Sequence, residues 1–576
     1  MSEITPLLLP MPRHVALDDK TVTSMSESEG TDASIPPEGY RITISRRRLK
    51  VEASDRVGVT NAGRTLTQLR EVYGTSLPTG VIDDWPDLAV RGVMLDVSRD
   101  KVPKIETLFW LIDRLSSWKI NQVQLYTEHT FAYADHEEVW EHASPYTADE
   151  MKTLDTFCAR RHVELVPNQN CLGHMERWLS HDRYRPLALR PGGFDFMGDH
   201  RGPSTLDPTD PGALELVRGL LGELLPNFAS RRVNVGLDEP WELGADRRDD
   251  YLAWVRALRA APELDGHEMV MWGDILSDVE AIEALPDGVT VCDWGYDDTY
   301  PFDERARLFA AAGRRFWLSP GTSSWLSLVG RLTNAKTTIA NATEAAIRHG
   351  GVGIVNTDWG DMGHLQYLPI SEPPLAYGAA VSWCLDANRD LDLAGALDRY
   401  CYADDAGVLG KTLLALGDLH RVLSAQMPNM SLLAAPLYVP QLHLGRGPAQ
   451  GVTAEEYHDA ERVLRVCRDQ LGRVRPRRED GPLVVNELEN SIDLLLVLCA
   501  DARGRLTEGA ADGSVTSLSP ETRQQLAARL GPIIERHRRL WAARNRNGGL
   551  DDSCARLLRL RQIYETGSTE GLAFYG

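Results

Sequence analysis

An alternation constrains this chain more than any other feature. Eight short apolar or β-branched runs recur: RGVMLDVS (91–98), NQVQLYT (121–127), VELVPNQ (163–169), RVNVGLDE (232–239), EMVMWGD (268–274), VTVCDW (289–294), FWLSPG (316–321) and GIVNTDW (353–359). Helix-period segments lie between most of them. Ile105, Leu108, Phe109, Ile112 and Leu115 share one helical face, and Thr147 with Glu150 spells a capping box ahead of Leu154 and Phe157. Several of the runs are apolar enough to be buried on both faces, as strands of a parallel sheet are. The alternation therefore predicts an α/β chain built on a (β/α)8 TIM barrel. A doubly wound open sheet would want a glycine-rich phosphate turn after its first strand, and LDVSRD is not one. GGVG at 350–353 comes before a strand and reads as a turn.

The flanks differ in character. Residues 1–86 read as a small N-terminal α/β domain, with a strand-like stretch from 40 to 54 and a helix-like one from 62 to 74. Within it the polar, Ser/Gly-rich segment 22–36 reads as a mobile loop, and IDDWPDL (82–88) as a linker into the barrel at 87–390. Past 390 strand signals stop. Leu488, Ile492, Leu495, Leu496 and Cys499 keep helical spacing, and SPETRQQLAARLGPIIERHRRLWAARNR reads as a capped amphipathic helix, so 391–576 is expected to be helical.

Composition narrows the partners. With 83 acidic against 62 basic side chains the net charge is −21, which argues against nucleic acid or an anionic membrane as partner. No apolar run approaches the roughly 18 residues of a membrane span. The start, MSEITPLLLPMPRH, has no basic residue ahead of its apolar patch, so a secretory signal is not expected. Eight scattered cysteines without C-x-x-C read as reduced core thiols of a cytoplasmic protein, not a zinc site or disulfide frame.

In such a barrel chemistry sits at the C-terminal strand ends. Those ends supply Glu128 and His129, Asn168 to His174, Asp238, Glu239 and Trp241, and Trp272 with Asp274. Asp293, Trp294, Ser323, Ser324, Trp325, Asp358, Trp359, Asp361 and His364 complete the ring. Aromatic walls with hydrogen-bonding acids suit a neutral ligand of many hydroxyls, a sugar. Asp238-Glu239 stands apart from the DE pairs at 149–150 and 303–304, which read as first turns of helices where acids favour the dipole. It follows a strand and precedes a proline. Glycoside cleavage needs a proton on the leaving oxygen and relief for positive charge at the anomeric carbon. Adjacent acids serve both needs, one steadying the charge while the other, in a drier spot, acts as acid.

At these residues the chain resembles glycoside hydrolase family 20, the β-N-acetylhexosaminidases, as a divergent member. The resemblance runs over about residues 40–385 through RGVMLDVSRD, the GH of NCLGHMERW, GLDE, MWGDIL and DWGD. It implies an exo-acting retaining hydrolase that removes terminal β-linked GlcNAc or GalNAc with no metal or cofactor. The substrate's own acetamido oxygen would attack the anomeric carbon through an oxazolinium ion. It also implies roles: Glu239 as acid and then base, Asp238 on the acetamido N–H, and His174 with Glu128 tuning Glu239. Arg91 and Asp361 would bind ring hydroxyls, and Trp272, Trp294 and Trp359 would wall the acetamide pocket. Several positions depart from the family's pattern. YTEHTFAY stands in place of Asp-Asp-x-Gly-Trp, Leu237 replaces a glycine, Asp361 replaces Glu, and GTSSWLS has no acetamide-binding tyrosine. Trp325 through its indole N–H, or Ser324, is then the expected substitute. Blander readings stand beside these: Arg91 as an interdomain ion pair, His174 as a satisfied buried histidine, the tryptophans as core. A non-catalytic amino-sugar-binding barrel would not need the acid pair. A metal-dependent barrel hydrolase would want clustered histidines such as an H-x-H at strand one, which the sequence lacks.

Overall fold

The computed structural model describes residues 3–196, 199–508 and 513–569. All eight runs form strands: Val90–Asp96, Gln122–Tyr126, Glu164–Val166, Arg232–Asn234, Glu268–Trp272, Val289–Trp294, Phe316–Ser319 and Gly353–Asp358. They pair in parallel in one sheet, with the eighth against the first. Between the third and fourth strands the barrel closes through a parallel bridge from Asn168 to Asn234. There Gln169 N–H donates to Asn234 O at 3.0 Å and Asn234 N–H to Pro167 O at 2.9 Å. The first strand is buried along its whole length, including Arg91 near its start and Asp96 at its end. Helix Ile105–Ser117 turns Leu108, Leu111, Ile112 and Leu115 onto the barrel, and Ala148–Ala159 opens on the Thr147/Glu150 capping box.

Ahead of the barrel a six-stranded sheet carries helix Arg56–Tyr73, whose first turn is capped by Asp55 accepting the Gly58 N–H. Tyr40, Ile42 and Ile44 alternate inward and pack with Leu66 and Leu69 of the helix. Two expectations need correction here. Within 22–36, Ser26–Thr31 is an edge strand, paired in parallel with Arg48–Ala53. Its side chains are mostly exposed, so it has no apolar alternation to read; backbone hydrogen bonds to a strand twenty residues away make it. The linker is also shorter than 82–88, because Ile82–Asp84 completes strand Leu77–Asp84. Asp84 is instead a buried hub between the small sheet and the barrel. It accepts from Tyr40 Oη at 2.6 Å, Lys119 Nζ at 2.8 Å and Trp383 Nε1 at 2.8 Å.

Beyond the barrel come the helices Ala454–Leu471, Gly481–Thr507, Pro520–Arg544 and Leu550–Thr566. Leu488, Ile492, Leu495, Leu496 and Cys499 are all buried, in one apolar cluster continuous with the barrel's. This region also reaches the strand-end face, where Arg556 Nη1 meets Asp100 at 2.8 Å and Asn429 meets Trp325 at 2.9 Å. The eight cysteines are buried and unpaired. Among the described residues no helix is long and apolar enough to cross a membrane.

Candidate active site

The fourth strand ends early, and the backbone then winds left-handed. Gly236 (φ 69°), Leu237 (φ 73°) and Glu239 (φ 45°) precede Pro240. Only glycine fits at 236, since a Cβ there would lie 1.8 Å from Asn170 Oδ1. At Leu237 and Glu239 the conformation costs on the order of 1–3 kcal/mol each. It is held by the burial of Leu237, by Tyr251 Oη donating to Leu237 O at 3.1 Å, and by Asp274 Oδ2 accepting the Glu239 N–H at 3.0 Å.

The result is that two neighbouring acids face one imidazole. His174 Nε2 lies 3.3 Å from Asp238 Oδ2 and 3.4 Å from Glu239 Oε2. Gly173 permits that approach, because a Cβ there would come 2.3 Å from Asp238 O. Burial opposes a charged His174 ring, but Asp238 by charge and hydrogen bond, and Glu239 by hydrogen bond, lift its pKa well above the ordinary value. Asp238 is the drier acid, its side chain 9% exposed against 28% for Glu239. The sequence places the proton donor in the drier spot, and the structure reverses this. In the fold the inner acid is sealed against His174 and the outer one opens to solvent.

Arg91 is misplaced in the sequence reading. It stands at the opposite, N-terminal end of the first strand, bonded to Lys119 O at 2.9 Å, Leu88 O at 2.8 Å and Glu38. It is the ion pair between the small sheet's loop and the barrel. The site's guanidinium is Arg99, from the same RGVMLDVSRD segment but three residues beyond the strand's other end. Arg99 meets Asp96 and Glu128 at 3.1 Å each and lies over the rings of Tyr126 (4.6 Å) and Trp359 (5.1 Å). Side chains at a strand's start cannot reach its end, about 16 Å away at 3.3 Å per residue.

Glu128 lies in the site, though not as expected. It accepts from Tyr126 Oη at 2.9 Å and pairs with Arg99, whose Nη2 is 3.5 Å from His174 Nδ1. Its route to His174 runs through that guanidinium. Burial pushes its pKa up, and Arg99 works against the shift. Asp361 is half-buried; loss of water pushes its pKa to about 6, with Arg99 opposing and Asp96 and Glu239 reinforcing.

The four tryptophans expected to line the site fall into two groups. Trp272 and Trp359 lie 6.1 Å apart, and Trp294 stacks on Tyr296 at 5.2 Å. Trp325 sits behind Tyr296, edge-on at 5.2 Å, and its indole N–H is taken by Asn429. Ser324 donates to Asp358 at 2.7 Å, deep in a network with Thr322 and Ser371. Neither expected substitute therefore has a donor to offer. Tyr296 does. Its hydroxyl accepts the Trp359 indole N–H at 2.8 Å, lies within hydrogen-bond reach of the Thr357 hydroxyl, and feels the charges of Asp361 and Asp238. The sequence signal was present in DWGY, two residues past the sixth strand's tryptophan. Asp293, by contrast, is turned away into Arg305 and Tyr300.

Asp274, at the end of the fifth strand, also belongs to the site, through its bond to the Glu239 N–H. Burial, then the charges of Asp238 and Glu239, push its carboxyl to about 7. A carboxyl raised in the folded state holds its proton where the unfolded chain has lost it, so stability falls as pH rises between about 4 and 7. Asp274→Asn keeps an acceptor for the Glu239 N–H and removes the titration. Its melting temperature relative to the parent should rise between pH 5 and pH 8; equal differences at both would show that Asp274 titrates normally.

Known proteins resemble this chain in sequence and in fold. Residues 6–85 match the model of glycosyl hydrolase family 20, domain 2, and residues 89–349 that of the glycosyl hydrolase family 20 catalytic domain. A beta-hexosaminidase of Vibrio furnissii is 25% identical over 246 residues, covering 36% of this chain and 38% of that protein. A beta-N-acetylhexosaminidase of Cellulomonas fimi is 23% identical over 310 residues, covering 50% and 60%. The chain thus spans less than two thirds of the length of these relatives. The crystal structure of a GH20 exo beta-N-acetylglucosaminidase from Vibrio harveyi in complex with N-acetylglucosamine superposes with a TM-score of 0.56 at 16% identity, over 72% of this chain and 79% of that one, a likeness of fold. With two models of one family matched in sequence over more than half its length, the chain belongs to glycosyl hydrolase family 20.

Proposed function

We propose that the protein hydrolyses terminal β-linked N-acetylhexosaminides with retention, by assistance from the substrate's own acetamido group. The observation that carries this reading is the Asp238–His174–Glu239 cluster, with the Tyr126 ring 6.5 Å from that of His174 and 4.7 Å from that of Trp359. Glu239 gives its proton to the glycosidic oxygen as that oxygen's bond to the anomeric carbon breaks. The acetamido oxygen forms the new bond to that carbon, and Asp238 holds the N–H and steadies the positive charge spreading onto the amide. Water then opens the oxazolinium ring, giving a proton back to Glu239. Arg99, Glu128 and Asp361 form a charged, hydrogen-bonding rim suited to ring hydroxyls.

Release of nitrophenol from nitrophenyl GlcNAc or GalNAc, unaffected by EDTA, is the expected result. EDTA-sensitive release would favour a metal-dependent hydrolase, and sugar binding without release a binding protein. If 2-deoxy glycosides turned over as fast as acetamido ones, substrate assistance would be wrong.

Within this reading Tyr296 donates its hydroxyl proton to the acetamido oxygen, a part the seventh-strand loop does not fill. Tyr296→Phe leaves the ring stack on Trp294 intact; it removes that donor and, with it, the acceptor of the Trp359 indole N–H. It should lower kcat/KM for acetamido glycosides about 10- to 100-fold, one hydrogen bond to a developing charge. An unchanged kcat/KM would exclude the role.

A further inference from the structure

We propose that Trp241 and Phe196 form the platform for the leaving group, on which a second pyranose ring stacks; this rests on Glu239 being the proton donor. Among the described residues the exposed large apolar side chains are Trp241, Ile347, Val466 and Leu558. The last three are aliphatic and lie on helices, at 332–349, 454–471 and 550–566. Trp241, 41% exposed, is the aromatic one and lies two residues from Glu239, so their Cα atoms are within about 7 Å.

Its exposure is built in. On one side the Trp241 N–H donates to Glu239 O at 2.7 Å. On the other, Glu242 is buried and accepts the backbone N–H groups of Ser204 at 2.7 Å and Thr205 at 3.1 Å, and both their hydroxyls. The loop is pinned at both ends, with the indole between them left outside. Phe196, from the small hairpin inserted after the third strand, meets that indole at 4.7 Å and 55°. Arg201 of the same hairpin lies over Phe196 at 4.8 Å.

The position identifies the ligand's chemistry. The sugar that is attacked lies against Asp238 and Glu239, the acids that face His174. Glu239 is the more open of the two acids, so the group it protonates leaves outward, on the side of the following loop. An exposed indole paired with a second ring suits the apolar C–H face of a pyranose, with Arg201 for hydroxyls. The natural leaving group is therefore a sugar residue, and the substrate an oligosaccharide.

The test uses binding and turnover together. A thio-linked GlcNAc disaccharide resists cleavage, and its Kd is compared with that of GlcNAc in the parent and in Trp241→Ala. The parent should bind the disaccharide about tenfold tighter or better, and the variant should lose that gain while binding GlcNAc as before, roughly one aromatic contact. For cleavage, kcat/KM of the oxygen-linked disaccharide should fall about tenfold, mainly through KM, with the methyl glycoside unchanged and Trp241→Phe partly restoring the loss. Equal affinity of the parent for one ring and two would overturn the platform whatever the hydrolysis data say, as would equal losses on both substrates. A parent that cleaves neither glycoside yet still prefers two rings would sink the hydrolase reading and leave the platform standing.

Discussion

Glu239→Gln should reduce kcat/KM for methyl and sugar glycosides about 10²- to 10⁴-fold, the range over which a positioned general acid contributes. Nitrophenyl glycosides, whose leaving oxygen needs little help, should lose far less in the bond-breaking step. The amide keeps the size of Glu239 and its backbone N–H bond to Asp274, so the loss reports the proton and not the loop. His174, shared between the two acids, keeps Asp238 as its partner. The check is a leaving-group series: the parent's rates should depend weakly on leaving-group acidity and the variant's steeply. Parallel lines for the two proteins would remove Glu239 from proton transfer.

Asp238→Asn should be damaging in a different pattern. Kcat should fall about 10²- to 10³-fold, some 3–4 kcal/mol of transition-state stabilisation, as when one preorganised electrostatic partner is removed. The loss should be similar for good and poor leaving groups, because the residue acts on the amide that attacks and not on the oxygen that departs. The same substitution takes the strongest partner from the His174 ring, whose raised pKa rests first on Asp238. The imidazole's titration, followed by NMR, should therefore move down toward its ordinary value. Activity that falls only for poor leaving groups would reassign Asp238 as an acid.

The barrel was legible because its signal is local. Each strand is a short run whose apolar character is set by burial on both faces, and each helix carries a 3.6-residue stripe. Ser26–Thr31 was not legible, since an exposed edge strand has no pattern beyond its backbone. The acid pair and His174 could be found from strand ends alone. Arg91 and Arg99 show where that method fails: both lie in one ten-residue segment, and only the strand's direction and length separate the end that holds Glu38 from the end that holds Glu128. Tyr296 was hidden for a related reason. Trp325 and Ser324 sit in the expected loop, but contacts from Asn429 and Asp358, distant in the chain, use up their donors.

By itself, then, the amino-acid order determined the succession of strands and helices, the end of the barrel that bears chemistry, and the carboxylates at 238 and 239. Periodicity and strand ends are written in neighbouring residues. Tertiary structure alone decided which arginine faces the site, which aromatic hydroxyl lies against Trp359, and how the left-handed turn at Leu237 and Glu239 brings both acids to His174. Those outcomes depend on which polar groups meet across loops far apart in sequence. A hydrogen bond already made elsewhere cannot serve a substrate.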